Sequence, residues 1–353
     1  ANICTAALIF IMFYGGFGTN ISHAKPIVVQ ATLLSTIGVF ATAGLTGLFC
    51  YFVIGMDLIP AMLMGSVISS TDAASVFSVL RSRKLSLKYN TASLLEVESG
   101  SNDPAAFMLT TVLLQMLQGK ATGGFIIYTI VMQITLGLIL GIVIAYIGLY
   151  VLDRIYFDTE GFDMIFVVGI ALISYALPTA LGGNGYLSAY ITGLILGNAK
   201  IREKKNLVHF FDGMTGLMQM TIFFLLGLLA TPSHLPEVAG KAIAIMLFLS
   251  LVVRPIVIGG LLRPFGCDFK RMLLISFAGL RGAASIVFAI IVIMNGNIGD
   301  EIFNITFFIV LMSILIQGSL LPLVSKKLDM IDEDEDVMKT FTDYSDELPV
   351  QFI

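Results

Sequence analysis

The feature that most constrains this chain is a succession of long apolar runs with short polar connections between them. Of its 353 residues, 57% are hydrophobic and only 12% are charged, whereas a soluble domain carries about 25% charged residues. A helix needs about 20 apolar residues to cross the roughly 30 Å hydrocarbon layer of a bilayer, and this chain supplies such runs repeatedly. The sequence therefore predicts an all-α, polytopic membrane protein.

Eleven membrane spans are predicted, and the distribution of Lys and Arg supports this number. When the connections are assigned alternately to two sides, fifteen of the 20 basic residues fall on one side, and only Lys120 and Lys241 fall on the other. Basic connections remain cytoplasmic, so we expect residue 1 outside the cell (inner) membrane and the C-terminus inside. The predicted spans are 3–20, 27–53, 58–80, 89–118, 123–152, 161–181, 185–199, 209–230, 238–263, 269–296 and 301–325.

Two of these spans contain polar and helix-weakening residues in the middle of the membrane. The third span carries SSTDAAS at 69–75, and the tenth carries AGLRGAAS at 278–285. Because odd and even spans run in opposite directions, such a pair indicates inverted repeats with a binding site between two interrupted helices.

Ionisable side chains cluster within a few of the predicted spans, where each charge in the middle of the membrane costs several kcal/mol. Asp72 belongs to the interrupted part of the third span, and Glu98 and Asp103 belong to the fourth. Arg254 and Arg281 lie in the ninth and tenth spans. Three acids and two arginines in so few spans predict a buried polar site.

Helical spacing divides the polar residues of the fourth span between two stripes. Ser99 and Asp103 are four residues apart and share one face. Glu98 and Asn102 share a neighbouring face about 100° away. One stripe can therefore face an ion while the other bonds to the rest of the protein. Pro104 lacks a backbone donor and frees a carbonyl one turn earlier.

The oxygen atoms of this cluster are suited to a cation. Asp72, Asp103, Ser99, the amide of Asn102 and the carbonyls around Thr71 can all act as ligands. The same carboxylates can bind a proton instead, because burial favours their neutral form and a bound cation favours their charged form. Competition between a proton and a cation for one site is the minimum requirement for an exchanger.

Each of these residues also has a structural explanation. A buried Asp72 could simply bond to a neighbouring helix, and Glu98 is expected to pair with an arginine rather than to bind the ion. Arg254 and Arg281 are expected to neutralise acids and the carbonyls of broken helices. GGNG at 182–185 predicts a tight outer turn rather than a phosphate site.

Five segments resemble the NhaP/CvrA branch of the cation:proton antiporters. They are STDAASVFSVLRS (70–82), LEVESGSNDPAAF (95–107), FDGM (211–214), VVRPI (252–256) and GLRGAASI (279–286), and the resemblance covers nearly all of residues 1–325. It implies exchange of K⁺ or Na⁺ for H⁺, without a cofactor and without a nucleic-acid partner.

The resemblance also implies how the helices are organised. Two broken helices would cross in an ion-transport core that moves against a scaffold, and two copies would dimerise through that scaffold. Residues 27–118 and 236–325 would form the core, 1–21 and 157–235 the scaffold, 123–152 a linking helix, and 329–353 an acidic cytosolic segment.

The resemblance assigns roles to the candidate ion ligands. Asp103 would be the principal carrier of ion and proton, and Asp72, Ser99 and the Thr71 carbonyl would complete the site. Asn102, which precedes Asp103, resembles the residue found in electroneutral exchangers, which move one cation per proton.

The resemblance also assigns roles to the residues that hold the site together. Asn102 would stabilise the helix crossing, Glu98 would bridge to Arg254, and Arg281 would sit at the second break.

Tyr14 departs from the pattern, because similar proteins tend to carry an acid there. The family has about two more helices before residue 1, and its CvrA-like members have a TrkA C-terminal type domain, absent here, that implies nucleotide regulation.

Two other functions remain open at this point. One is an organic-anion symporter on a similar inverted-repeat fold, which would need an anion pocket. The other is a channel subunit or a non-transporting sensor, in which the buried charges would be structural. Proton counterflow that depends on Asp103 distinguishes an exchanger from both.

Overall fold

The computed structural model describes residues 2–21, 25–83, 85–119, 123–154, 161–202, 204–230, 235–296 and 300–332. Its helices, numbered in chain order, are α1 (Asn2–Phe17), α2 (Lys25–Ile54), α3 (Leu58–Val67), α4 (Ala73–Ser82), α5 (Thr91–Leu117), α6 (Gly123–Arg154), α7 (Phe162–Ala180), α8 (Gly185–Asn198), α9 (Lys204–Leu229), α10 (Leu235–Phe265), α11 (Phe269–Phe277), α12 (Ala283–Gly296) and α13 (Glu301–Lys327).

These helices correspond one by one to the predicted spans, except that the third span comprises α3 with α4 and the tenth comprises α11 with α12. Among the described residues, six helices combine the length and the apolar character needed to cross a membrane, namely α2, α6, α7, α9, α10 and α13. Large apolar side chains such as Ile127 and Ile147 are exposed on α6, as expected of a surface solvated by lipid. The chain is a multi-pass membrane protein.

One predicted boundary is wrong by five residues. The eighth span was expected to begin at residue 209, but α9 begins at Lys204. Its first turn is polar and therefore carries no hydropathy signal. Leu207 and Val208 are nevertheless fully buried, and this packing extends the helix beyond its apolar run. His209 consequently lies in the second turn of a helix.

The two interrupted helices meet at their breaks. The first break separates α3 from α4 at residues 68–72, and the second separates α11 from α12 at residues 278–282. The backbone N–H of Asp72 donates to the carbonyl of Leu280 at 2.9 Å. Gly282 has no side chain where the Asp72 carboxylate lies, and a Cβ there would overlap it. The breaks therefore cross in contact, as the resemblance implies.

Glycines bring α1 and α8 into close backbone contact. A Cβ on Gly193 or Gly197 would overlap the carbonyl of Phe13 or Phe17, and a Cβ on Gly16 would overlap that of Tyr190. Gly193 meets Phe13 and Gly197 meets Phe17, so the contacts advance in the same direction along both helices, which therefore run in parallel. Phe13 and Phe17 also pack against Phe211 of α9, with ring centroids 5.2 and 6.1 Å away.

Three of the long helices contain π-turns. They lie at Leu34–Gly38 and Cys50–Ile54 in α2, at Leu249–Val253 in α10 and at Ser313–Gly318 in α13. Such turns are frequent at functional positions. The turn in α10 directly precedes Arg254, and the turn in α13 begins with Ser313, which accepts a hydrogen bond from the backbone of Arg281 at 3.1 Å.

We call the face that carries the connections after α1, α4, α8 and α10 the basic face, and the opposite face the far face. On the basic face, strand β1 (Ser86–Leu87) pairs antiparallel with β2 (Ile331–Asp332). Lys88 forms a 3.1 Å ion pair with Asp329. The hydrogen bond and charge of Lys88 hold the pKa of Asp329 below its usual value.

Candidate ion-binding site

A cavity of about 450 Å³ leads from the basic face to the crossing of the broken helices. It lies between α1 and α9 on one side and α4, α5 and the start of α12 on the other. Its polar lining includes Tyr14, Ser70, Thr71, Asp72, Ser78, Glu96, Ser99, Asp103, Asp212, Thr215 and Gln219. None of the cavity-lining residues that the structure describes is basic.

Asp72 combines two roles at the start of α4. Its carboxylate accepts hydrogen bonds from the backbone N–H groups of Ala74 at 3.0 Å and Ser75 at 3.4 Å, and from the Ser75 hydroxyl at 2.7 Å. It therefore caps the helix, whose N-terminus favours negative charge. Because the residue is only half-buried and lines the cavity, its carboxylate is also accessible to an ion.

Asp103 is the least satisfied acid of the site. It is 5% exposed, and its buried Oδ1 has no hydrogen-bond partner among the described residues. The Ser70 side chain hydrogen-bonds to the carboxylate, and Asp72 is close enough to interact with it electrostatically. A buried acceptor without a partner is costly, and a cation or a proton would remove that cost.

Thr71 and Ser99 connect the first break to α5. Their hydroxyl groups are 2.8 Å apart, both side chains are buried, and both residues line the cavity. The amide nitrogen of Asn102 donates to the Thr71 hydroxyl at 2.6 Å. Asn102 itself does not line the cavity, so the structure places its amide in the crossing rather than among the groups that face an ion.

Glu98 and Arg254 form a buried ion pair on the other stripe of α5. Their side chains are 1% and 5% exposed, and Nη1 lies 2.8 Å from Oε1. Arg254 also donates to the Ile275 carbonyl at 3.3 Å. Gly279 makes room for the guanidinium, because a Cβ there would lie 2.6 Å from its Nε. Neither residue of the pair lines the cavity.

Arg281 binds the backbone of the opposite break. Its Nη1 donates to the carbonyls of Ser69 at 3.0 Å and Ser70 at 2.5 Å. The side chain is 1% exposed and does not line the cavity. These carbonyls follow the C-terminal end of α3, where positive charge is favourable. The positive charge of the second break therefore stabilises the first.

Several residues of this region have no role in the sequence-based prediction. The Ser75 hydroxyl donates to the Asp72 carboxylate that caps α4, and the three-residue spacing of the two residues is a signal that could have identified this contact. Glu96, two residues before Glu98, lines the cavity. The Tyr14 hydroxyl donates to Asp212 at 3.2 Å. Asp212 lies in the FDGM motif of α9, but no sequence pattern indicates that it contacts Tyr14 of α1.

The donor set at the crossing of the breaks consists of oxygen atoms. Among the described residues there is no group of three or more His, Cys, Asp or Glu side chains that could hold a metal ion. The oxygens available are two carboxylates and the hydroxyls of Ser70, Thr71 and Ser99. Oxygen ligands of this kind are typical of hard cations.

Comparisons with known proteins identify the family of the chain. Residues 3–327 match the family model described as "Sodium/hydrogen exchanger, transmembrane". The chain is 35% identical over 322 residues to the K(+)/H(+) antiporter NhaP2 of Shewanella sp. (strain MR-4). This alignment covers 90% of this chain and 56% of that protein. It is 34% identical over 318 residues to the K(+)/H(+) antiporter NhaP of Alkalimonas amylolytica, and this alignment covers 90% of this chain and 55% of that protein.

The chain thus spans about half the length of these two relatives. A solved structure, that of the sodium proton antiporter MjNhaP1 from Methanocaldococcus jannaschii at pH 8, is similar with a TM-score of 0.81 and 24% identity, covering 92% of this chain and 85% of that one. This likeness shows the fold, and the match over residues 3–327 shows the family. The chain belongs to the transmembrane sodium/hydrogen exchanger family.

Proposed function

We propose that this chain is the membrane part of an antiporter that exchanges K⁺ or Na⁺ for H⁺ across the cell membrane. The observation that carries the proposal is the buried Asp103 oxygen that has no hydrogen-bond partner among the described residues, beside Asp72 at the end of a cavity. The names of the relatives, K(+)/H(+) antiporters and a Na(+)/H(+) antiporter of Halobacillus aidingensis, support both cations.

The ion site takes either a cation or a proton. Asp103 and Asp72 bind the cation with the hydroxyls of Ser99 and Thr71 and the Thr71 carbonyl. A proton on Asp103 satisfies the same buried oxygen and displaces the cation, because the neutral acid no longer attracts it. Since the cation and the proton exclude each other, one cation moves for each proton. The transport core carries a cation in one direction and a proton in the other.

The buried charges that do not face the cavity hold the transport core together. Asn102 holds the crossing, the pair of Glu98 and Arg254 joins α5 to α10, and Arg281 joins the two breaks. These groups keep the broken helices in place while the charge at Asp103 changes. Transport and structure thus use separate sets of residues.

Access to the site alternates between the two faces by movement of the core against the scaffold. The core comprises α2–α5 and α10–α13, the scaffold comprises α1 and α7–α9, and α6 links them. The cavity opens on the basic face, which we assign to the cytoplasm because basic connections remain inside. The described chain therefore has the conformation that is open to the cytoplasm.

The assembly and regulation of the protein complete the proposal. Two copies form a homodimer through the scaffold in the cell (inner) membrane, with the C-terminus in the cytoplasm. A cytosolic domain that follows the acidic segment 329–353 regulates exchange and binds a nucleotide. The protein is a transporter and not an enzyme.

The charge of the cavity argues against an organic-anion symporter. Asp72, Glu96, Asp103 and Asp212 line it, and none of its described lining residues is basic. A carboxylate substrate would be repelled there. A channel or a sensor with structural charges is not excluded by charge, and proton counterflow separates these functions from an exchanger.

The test is cation-dependent proton movement in everted vesicles that contain the full-length protein. Addition of K⁺ or Na⁺ should restore the fluorescence of a pH dye with wild-type protein and not with Asp103→Asn, while Asp103→Glu should retain part of the signal. Exchange that survives Asp103→Asn would overturn the mechanism. Cation flux without proton counterflow would favour a channel. The same assay across pH and with each cation determines which ion is preferred.

A further inference from the structure

The GGNG turn at 182–185 connects the far-face end of α7 to the start of α8 and packs against α6. Helix α8, which follows it, has 14 residues and is about 21 Å long, shorter than the hydrocarbon layer. The backbone N–H of Asn184 donates to the carbonyl of Gln133 at 3.1 Å. Gln133 lies about 15 Å along α6 from its start at Gly123, so the turn packs against the side of α6 and not against its end.

The turn is fixed in place by its glycines. Gly182 has a φ of 81°, which favours glycine. A Cβ on Gly183 would lie 2.7 Å from the Leu136 side chain, and one on Gly185 would lie 2.5 Å from the Tyr175 carbonyl. The turn is therefore wedged between α6 and α7 and holds its third residue, Asn184, in a defined position.

Asn184 joins the scaffold to the helix that carries the ion. It is 2% exposed. Its side-chain oxygen accepts from the N–H of Leu187 at 3.0 Å and caps α8, and its amide nitrogen donates to the carbonyl of Pro104 at 2.9 Å. Pro104 directly follows Asp103. One side chain thus connects α8 to the residue next to the proposed ion carrier.

Aromatic rings close the site on the same side, one turn further along α5. The ring of Phe107 lies 4.6 Å from that of Tyr186 in an edge contact and 5.9 Å from that of Phe288. Tyr186 lies 4.8 Å from Tyr175. Phe107 and Phe288 belong to the core, and the two tyrosines belong to the scaffold. The contact therefore crosses the interface at which the two parts must separate.

We propose that Asn184 is a positioning residue that latches α5 to the scaffold while the site is open to the basic face. Opening toward the far face breaks both its bond to Pro104 and the contact of Phe107 with Tyr186. This inference rests on the proposed function, because it assigns a role in alternating access. The cavity is on the basic-face side of Asp103, and both latching contacts are on the other side.

The test compares two serine substitutions in the full-length protein. Asn184→Ser keeps an oxygen that can cap α8 but is too short to reach Pro104. Asn198→Ser is the matched control, because the Asn198 amide donates to the Thr19 carbonyl at 2.8 Å, a bond within the scaffold. Asn184→Asp provides a second variant, which keeps the shape and the cap and removes the amide donor.

The readout is labelling of Cys4 by a membrane-impermeant maleimide from the far face, with Cys50 and Cys267 replaced by serine. Cys4 is 2% exposed and packs in the same apolar cluster as Tyr186. We expect Asn184→Ser and Asn184→Asp to raise the labelling rate by roughly 2–10-fold, the range that corresponds to one neutral hydrogen bond. Asn198→Ser should leave the rate unchanged.

Two outcomes would overturn the latch. One is equal labelling rates in all three variants and the parent. The other is a lower melting temperature of the Asn184 variants with an unchanged labelling rate, which would show that Asn184 only caps α8. The labelling rate does not require exchange activity. If Asp103→Asn retains exchange, the transport mechanism fails while the labelling result still decides whether the latch exists.

Discussion

The two helix breaks have similar backbones and opposite charges. Asp72, at the first break, is half-buried and faces the cavity, whereas Arg281, at the second, is 1% exposed and donates to the carbonyls of Ser69 and Ser70. An inverted repeat supplies two places where backbone groups lack helical partners. In the proposed mechanism the first break binds the cation, and the side chain of the second break bonds to the backbone of the first. A substitution at each break should therefore affect a different property.

The largest effect is expected at the first break. Asp72→Asn should reduce exchange at least about 100-fold, because a charged ligand is lost, while the melting temperature should change little, since Asn and Asp cap helices about equally well. Dye dequenching in vesicles and thermal unfolding in detergent measure the two properties. Asp72→Ala, which loses the cap as well, is the comparison variant. An active Asp72→Asn protein would remove Asp72 from the ion site.

Glu98→Ala should have the largest effect on stability. The change leaves Arg254 charged, buried and without its carboxylate, and removal of one partner of a buried pair costs about 3–5 kcal/mol. The free energy of unfolding, measured with denaturant in detergent, should fall by that amount. Glu98→Gln should lose less, because its amide oxygen can still accept from Arg254. An unchanged stability of Glu98→Ala would contradict the structural role of the pair.

A smaller loss of stability is expected at the second break. Arg281→Met leaves the carbonyls of Ser69 and Ser70 without a donor, and a buried polar group without a partner costs about 1–3 kcal/mol. Arg281→Lys keeps a charge that can reach a carbonyl and should lose less. If Arg281→Met abolished exchange without lowering stability, Arg281 would act on the ion directly, and the division of labour between the breaks would be wrong.

The smallest effect is expected for Lys88→Ala on the basic face. Lys88 and Asp329 form an exposed pair, and such pairs contribute little to stability. Because Lys88 holds the pKa of Asp329 below its usual value, the contribution is present above the unfolded pKa of Asp329 and is lost as the pH falls through the lowered folded value. At neutral pH the melting temperature should therefore not change measurably, and a drop of several degrees would contradict this.

Much of the fold is predictable because the bilayer imposes simple rules. Runs of about 20 apolar residues and the one-sided distribution of Lys and Arg predict the spans, and polar residues at 69–75 and 278–285 predict the breaks. The two stripes of α5 follow from helical spacing alone: Ser99 and Asp103 line the cavity, whereas Glu98 and Asn102 do not line it and bond to Arg254 and Thr71.

The remaining features depend on contacts that leave no periodic pattern. The partners of Arg281 are backbone carbonyls, which every residue has. The bond between Tyr14 and Asp212 joins helices far apart in the chain. The contact of Asn184 with Pro104 depends on glycines that let the turn pack closely against α6 and α7, and the sequence of the turn alone does not reveal it.

The short ribbon of β1 and β2 has a mechanical consequence. Leu87 pairs with Ile331 and Ser86 pairs with Asp332, while Met330 is buried in the same apolar cluster as Leu87, Val76 of α4 and Leu95 of α5. A pull on the polypeptide beyond Asp332 is thus transmitted sideways to the connection between α4 and α5. Helix α4, which begins directly after Asp72, and α5, which carries Asp103, are thus linked to the segment after α13 by this ribbon and this apolar cluster.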